Sequence, residues 1–158
     1  MPASKPSIPL RGECSATALR KASRKVAQLF DEALAPCALK STQYSILVEI
    51  ARHGDDPPAL QALADALVMD RSTLGHNLRP LERDELVTIV PGVDDRRRRH
   101  IALTPAGKRR LREAHAHWLT AQAHFHSVFG EESAGVLRAT LLDIAYHPHL
   151  TARRSGES

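Results

Sequence analysis

Two groups of side chains near the middle of the chain have the chemistry needed to bind a polyanion. One group consists of hydrogen-bonding residues that fall on one side of a helix: Ser72, Thr73, His76, Asn77, Arg79 and Arg83. The other is a run of four arginines at 96–99. Hydroxyl, amide and imidazole groups can bond to base edges, and guanidinium groups pair with phosphates. These residue types therefore indicate contact with double-stranded DNA.

The first group requires a helix beginning near Asp70. Leucines recur at the spacing i, i+4, i+7, which places them on one side of a helix: Leu74, Leu78 and Leu81. Asp70 or Ser72 is expected to cap the first turn, because its side-chain oxygen can accept an unpaired backbone N–H. Pro80 lies inside this helix and removes one hydrogen bond, so the helix either bends there or ends early. Because the apolar pattern continues beyond Pro80, we expect a bend.

The arginine run requires a hairpin. The flanking residues are β-prone and alternate along the chain, with Pro91-Gly92 marking a turn: Val87, Ile89, Ile101 and Leu103. A polar-faced helix followed directly by an arginine-tipped hairpin is the arrangement of a winged helix on DNA. The helix would enter a major groove, and the tip would reach phosphates or the minor groove. A solvated charged turn is the alternative explanation for the arginines alone.

The charge of the chain is concentrated in one region. The 158 residues suffice for one domain, or for one domain with an appended dimerisation element, and carry a formal net charge of +4. Residues 94–112 contain eight basic and two acidic residues, a net charge of +6. This region is more basic than the whole molecule, which favours an anionic partner.

Two cysteines, Cys14 and Cys37, are too few for a disulfide framework. No apolar run approaches the roughly 18–20 residues that span a bilayer. The first residues, MPASKPSIPLRG, have no apolar core of the length that a signal peptide needs. We therefore expect a reducing, cytoplasmic setting without membrane contact.

The remaining pattern predicts a mainly α fold with a small β wing. Further helices are expected at 15–34, from near Thr42 to Gly54, at 60–67, at 105–129 and at 133–146, with Thr104-Pro105 opening the long one. The winged helix-turn-helix domain would span 40–104. The helices of 13–36 and 105–148 would form a dimerisation region, since their apolar stripes exceed what a small winged helix can cover. A disordered arm (1–12) and a flexible tail (149–158) complete the chain.

Other classes of protein are disfavoured by spacing. The pairs His115/His117 and His124/His126 are two residues apart, so the members of each pair face different sides of a helix and cannot chelate one ion. We predict no metal or other cofactor. A glycine-rich phosphate loop, a nucleophile elbow and a carboxylate–histidine cluster are all absent, which argues against an enzyme. A purely structural helical adaptor would have no use for four arginines on a hairpin tip.

The order of these parts resembles the MarR family of bacterial transcription regulators, over roughly residues 14–148. The pieces that carry the resemblance are LKSTQYSILVEIA, the DRSTL…NL.PLE…LV stretch, and the wing pattern D.R followed by LT..G, which is met by Asp95, Arg97, Leu103, Thr104 and Gly107. The resemblance implies a homodimer that reads a near-palindromic operator. It also implies a repressor that is released by a small organic, often aromatic, ligand.

Positions carried over from the family supply expected DNA contacts. Arg97 would be the wing-tip arginine in the minor groove, and Asp95 the acid that fixes it, since an oriented guanidinium suits the negative potential of a narrow groove. The full expected set is Arg71, Ser72, Thr73, His76, Asn77, Arg79, Asp95, Arg97 and Arg98. Gly75-His76 departs from the family, which often has Thr-Arg there, so the base preference does not carry over.

The resemblance also raises two questions about the signal. The ligand cleft would include Arg20, Ser23 and Tyr44. A thiol-based peroxide sensor that uses Cys14 is the alternative, because basic neighbours can lower a thiol pKa. Cys14 lies earlier in the first helix than the family's sensing cysteine. We therefore expect that oxidation is not the signal.

Overall fold

The computed structural model describes residues 10–92, 95 and 97–150. The predicted arm (1–12) and tail (149–158) thus lie mostly outside the described residues, as does Arg96. The elements are α1 (Ser15–Leu34), α2 (Ser41–Arg52), α3 (Leu60–Ala66), α4 (Arg71–Arg83), β1 (Val87–Pro91), β2 (Arg99–Leu103), α5 (Pro105–Phe129) and α6 (Glu131–Tyr146), with a 3-10 turn at Ala35–Cys37. The mainly α fold with a β wing is confirmed.

Helix α4 begins at a cap and continues through its proline. The Asp70 carboxylate accepts the Thr73 N–H at 2.7 Å and the Thr73 hydroxyl at 2.8 Å, so Asp70 and not Ser72 is the N-cap. Pro80 lies within the helix, which ends only at Arg83. The leucine stripe predicted from the sequence is buried: Leu74, Leu78 and Leu81.

The wing is a two-stranded antiparallel hairpin that a third segment supports. The four β-prone residues predicted to flank the turn all lie in the strands, where Val87 pairs with Leu103 and Ile89 with Ile101. Arg99 belongs to β2 rather than to the tip. On the other edge of β2, the Ile101 N–H donates to the Pro58 carbonyl at 3.0 Å. An isolated bridge joins Ala59 and His100. The wing is therefore attached to the loop that precedes α3.

Thr104 and Gly107 join the wing to the long helix α5. The Thr104 N–H donates to the Leu86 carbonyl at 3.1 Å, and its hydroxyl donates to the Glu85 carbonyl at 2.6 Å. The same hydroxyl accepts the Gly107 N–H at 2.9 Å, as the predicted N-cap of α5. A Cβ at position 107 would lie only 2.0 Å from the Leu86 carbonyl oxygen. We call Glu85, Leu86, Thr104 and Gly107 the wing–helix junction.

Helix α5 also packs along α1. The Arg110 guanidinium donates to the Cys37 carbonyl at 2.7 Å, which fixes α5 to the end of α1. Small residues let the helices approach, since Ala114 and Ala121 are buried. Phe129, the last residue of α5, is 55% exposed in the single chain. In the part of the chain that the structure describes, no helix is both long and apolar enough to cross a membrane.

The close approach at Gly107 predicts a specific stability defect. Gly107→Ala should lower the free energy of unfolding by about 1–3 kcal/mol, because the new methyl group must displace the backbone at Leu86. Denaturant unfolding measures the change. Gly75→Ala is the matched control, since no atom lies within 4 Å of a Cβ at that helical position. The control should gain up to about 1 kcal/mol. Equal effects of the two substitutions would contradict the packing argument.

Candidate DNA interface and ligand cavity

The outer face of α4 presents polar side chains to solvent. Exposed residues on it are Arg71, Ser72, Thr73, His76 and Arg79. Asn77 is half-buried, and its amide donates to the Thr73 carbonyl at 2.9 Å. The Arg71 side chain is restrained by α3, because its Nε donates to the Gln61 side-chain oxygen. This face of the intact helix therefore exposes hydroxyl, imidazole and guanidinium groups that could bond to a DNA groove.

Asp70 orders the first turn of this face. Hydrogen bonds from the Thr73 backbone N–H and the Thr73 hydroxyl lower the pKa of the Asp70 carboxyl. The carboxylate is therefore ionised at neutral pH, and it compensates the positive end of the helix dipole. Its charge is directed at the helix backbone, so it does not oppose an incoming phosphate as a free surface acid would.

At the wing tip, Asp95 forms a turn that presents arginines. Its carboxylate accepts the Arg97 backbone N–H at 2.9 Å, and its carbonyl accepts the Arg98 N–H at 2.9 Å. The Arg98 carbonyl in turn accepts the Gly92 N–H at 2.9 Å. Arg97 and Arg98 are both exposed. Asp95 therefore bonds to the backbone of Arg97 and not to its guanidinium group. The family resemblance implied a contact between the two residues without saying which part of the arginine it involves.

The basic cluster of residues 94–112 divides among different surfaces. Arg97, Arg98 and Arg99 are on the wing, with Arg99 as the first residue of β2. Arg110 is committed to the Cys37 carbonyl and approaches Glu113 at 3.9 Å. Arg112 lines a solvent-open cavity instead. The net charge of +6 therefore overstates what one subunit can direct at DNA.

That cavity, of about 790 Å³, lies between the helix-turn-helix and the outer helices. Its lining comes from α2, α3, α5 and α6: Tyr44, Ser45, Val48, Glu49, Ala51, Arg52, Ala66, Leu67, Leu111, Arg112, His115, Trp118 and Tyr146. The Tyr44 hydroxyl and the His115 Nδ1 are 3.1 Å apart and hydrogen-bonded. Trp118 stacks on both rings, with centroids 6.2 Å from Tyr44 and 5.5 Å from His115. Burial raises the pKa of Tyr44, which keeps its hydroxyl protonated.

Polar groups at the cavity wall connect separate elements. The Tyr146 hydroxyl of α6 donates to the Ala66 carbonyl at the end of α3, at 2.6 Å. Arg52 pairs with Glu49 at 2.7 Å, while Arg112 is exposed. An aromatic wall with a cation at its edge suits an aromatic anion chemically.

Sequence reasoning found one residue of this cavity and missed most of it. Tyr44 lines the cavity, but Arg20 and Ser23 are exposed on α1 and do not. Sequence analysis considered His115 only as a metal ligand and gave Trp118 no role in a site. The i, i+3 spacing of His115 and Trp118 was a usable signal, but their contact with Tyr44 spans 71 residues.

Within the described residues, the cysteines and histidines form neither a disulfide nor a metal cluster. Cys14 is exposed ahead of α1, and hydrogen bonds from Thr17 lower the pKa of its thiol. Cys37 is free and buried. Among residues 10–92, 95 and 97–150, no three histidine, cysteine or acidic side chains lie close enough to hold a metal ion.

Comparison with known proteins gives a consistent result. The family model described as the MarR family matches residues 39–98. The M. tuberculosis transcriptional regulator MosR, solved in complex with DNA, is 31% identical, with a TM-score of 0.75, 84% of this chain and 94% of that chain covered. S. aureus MepR, also solved with DNA, shares the fold at 24% identity and a TM-score of 0.71, covering 83% of this chain and 96% of its own.

CouR from Rhodococcus jostii RHA1, bound to p-coumaroyl-CoA, shares the fold at 23% identity and a TM-score of 0.73, with 89% and 96% of the two chains covered. A search of curated protein sequences gave no match.

Proposed function

Because the chain belongs to the MarR family of transcriptional regulators, we propose that it is a homodimeric repressor that a small aromatic ligand releases from a near-palindromic operator. The observation that carries the proposal is the exposed polar face of α4 beside an arginine turn anchored by Asp95. A repressor of this kind works where the bacterial chromosome lies, in the cytoplasm.

Helix α4 would read the major groove and the wing the minor groove. Base edges would be contacted by Ser72, Thr73, His76 and Asn77, while Arg71, Arg79 and Arg98 would contact phosphates. Arg97 would enter the minor groove, because its backbone is already fixed by Asp95 and only its side chain has to be ordered on binding. MosR and MepR were solved on DNA with this fold, which supports the docking mode.

A second copy of the chain would cover the outer helices. Large apolar side chains are exposed on α5 and α6, among them Val128 at 71%, Val136 at 64% and Leu142 at 53%. An apolar surface of this extent is typical of an interface. A two-fold dimer would bury it and would set the two α4 helices at the spacing of successive major grooves.

The cavity would hold the releasing ligand. An aromatic ring can stack on Trp118, and a carboxylate can pair with Arg112 at the rim. A ligand there touches the Tyr146–Ala66 contact, so it can change how α6 is fixed to α3. Because α4 packs on α3, a movement of α3 would displace α4. In the dimer this would change the distance between the two α4 helices, each of which contacts one half of the operator. CouR, of the same fold, is bound to p-coumaroyl-CoA, which supports an aromatic ligand.

Binding to operator duplex should weaken steeply with salt. About six to ten phosphate contacts per dimer would cost on the order of a thousandfold in affinity between 50 and 200 mM salt, because counterions are released on binding. Fluorescence anisotropy on an operator selected from random duplexes measures this slope. A duplex of equal length and random sequence is the control for sequence preference. Affinity that does not change with salt would refute DNA binding through this surface.

The wing contact should be selective for groove shape. Arg97→Ala should lose about 1–3 kcal/mol of binding free energy on operators with an A·T-rich, narrow minor groove at the wing. Asp95→Ala should lose less, since it only releases the Arg97 backbone. Ser72→Ala should instead alter base preference under α4. Site selection with each variant separates these outcomes. Wild-type affinity of Arg97→Ala would remove the wing from the interface.

The dimer can be tested without disturbing one subunit's core. Val136→Glu with Ile144→Glu places charges at side chains that are 64% and 41% exposed in the single chain. We expect a monomer with near non-specific affinity, because four such apolar side chains would contribute about 1.5–3 kcal/mol each when fully buried. Light scattering gives the mass. Arg138→Glu, about 120–160° around α6 from the two substituted positions, should remain dimeric. A dimer in both variants would place the interface elsewhere.

The cavity contains the chain's single tryptophan, which makes its occupancy directly measurable. Benzoate, 4-hydroxycinnamate or a similar aromatic acid should quench Trp118 fluorescence over the same concentrations that release operator. Val48→Phe should fill the space, bind operator normally and abolish both responses. Release that persists in Val48→Phe would exclude this cavity as the ligand site. Cys14→Ser should respond like the wild type, because oxidation is not expected to be the signal.

A further inference from the structure

His100 connects the wing to the body of the DNA-reading domain through its side chain. It lies in β2, paired with Val90 of β1, and its ring is half-buried. The Nδ1 atom lies 2.7 Å from the carbonyl oxygen of Pro57, in the loop before α3. A carbonyl oxygen has no proton to give, so Nδ1 must carry the hydrogen and donate it. This bond forms with either the neutral δ-tautomer or the charged ring.

The opposite edge of the same ring lies against the wing tip. A Cβ built on Gly92 would lie 3.0 Å from the His100 Nε2 and 2.7 Å from the Asp95 carbonyl oxygen. Glycine is thus required where the ring, the tip turn and the strand end converge. The Gly92 N–H donates to the Arg98 carbonyl, and Asp95 holds the backbone of Arg97. Consecutive contacts therefore connect the Pro57 loop to the arginine turn.

We infer that His100 is a positioning residue: it fixes the angle of the wing to the recognition helix and thereby places Arg97 over the minor groove. The wing–helix junction holds the base of the hairpin at Thr104, and the backbone bond from Ile101 to Pro58 holds its middle, at the Ile89–Ile101 pair. Neither attachment reaches the tip. The side-chain bond from His100 lies one residue closer to the tip, and the far edge of its ring faces Gly92, so it restrains the outer end of the wing. The inference rests on the proposed wing contact.

The test is a double-mutant cycle between His100 and Arg97 on the full-length protein. His100→Leu keeps an apolar side chain of similar size but removes the donor, and we expect at least about a fivefold loss of affinity, the lower end of what a lost arginine contact costs. Adding His100→Leu to Arg97→Ala should cost nothing further, because the residue acts through the arginine. His100→Asn, whose amide nitrogen replaces Nδ1, should restore most of the affinity.

The probes are the selected operator and the same duplex with G·C pairs replacing the A·T pairs under the wing. His100→Leu should lower affinity for the first and not for the second, a discrimination that a general loss of stability would not alter. Thr88→Ala, exposed on the same hairpin, is the control for hairpin substitutions.

Full additivity of the two losses, or wild-type affinity of His100→Leu, would overturn the inference. Loss in His100→Leu while Arg97→Ala binds normally would also overturn it. That last result would also reject the proposed wing contact. Failure of the His100 inference can therefore be distinguished from failure of the proposed minor-groove contact by Arg97.

Discussion

The close approach of α5 to the end of the recognition helix is the constraint on which the remaining architecture depends. Gly107 allows the first turn of α5 to lie directly on the Leu86 carbonyl, where any Cβ would overlap it. The Thr104 hydroxyl bonds to both segments at this point: it donates to the Glu85 carbonyl after α4 and accepts the Gly107 N–H in the first turn of α5. One short segment therefore fixes the end of α4, both wing strands and the start of α5 relative to each other.

This junction makes α5 a rigid connection between the cavity and the DNA-reading surface. Leu111, His115 and Trp118 line the cavity from one to three turns beyond Gly107. A helix transmits displacement along its axis because its backbone bonds are saturated. Under the proposed function, a ligand that shifts the Trp118 side of the helix would act on the wing as well as on α3. The Tyr146–Ala66 bond gives α6 a parallel route to the helix-turn-helix.

Order at the DNA-facing surface comes from acids rather than from the basic residues that would meet phosphate. Asp70 caps α4, and Asp95 forms the turn that presents Arg97. Both carboxylates bond to backbone N–H groups, so they organise the surface while their charge is compensated locally. The arginine side chains of the wing tip, Arg97 and Arg98, are exposed, and in the proposed complex binding would order only these side chains. Preorganising the backbone reduces the entropy lost at that step.

The sequence alone determined the features that arise from local periodicity and capping. The helices, the two β-prone strands, the Thr104 cap and the leucine stripe of α4 follow from patterns within a few residues. The hairpin register and the choice of Asp70 over Ser72 as the cap of α4 came from the structure. It also predicted a set of DNA-contacting side chains, and these lie on α4 and at the wing tip. The junction, the cavity and the His100 bond depend on contacts between residues distant in sequence, such as Tyr44 with His115 or Pro57 with His100. Only the packing of the elements brings such residues together, because no local pattern encodes which distant partner a side chain will meet.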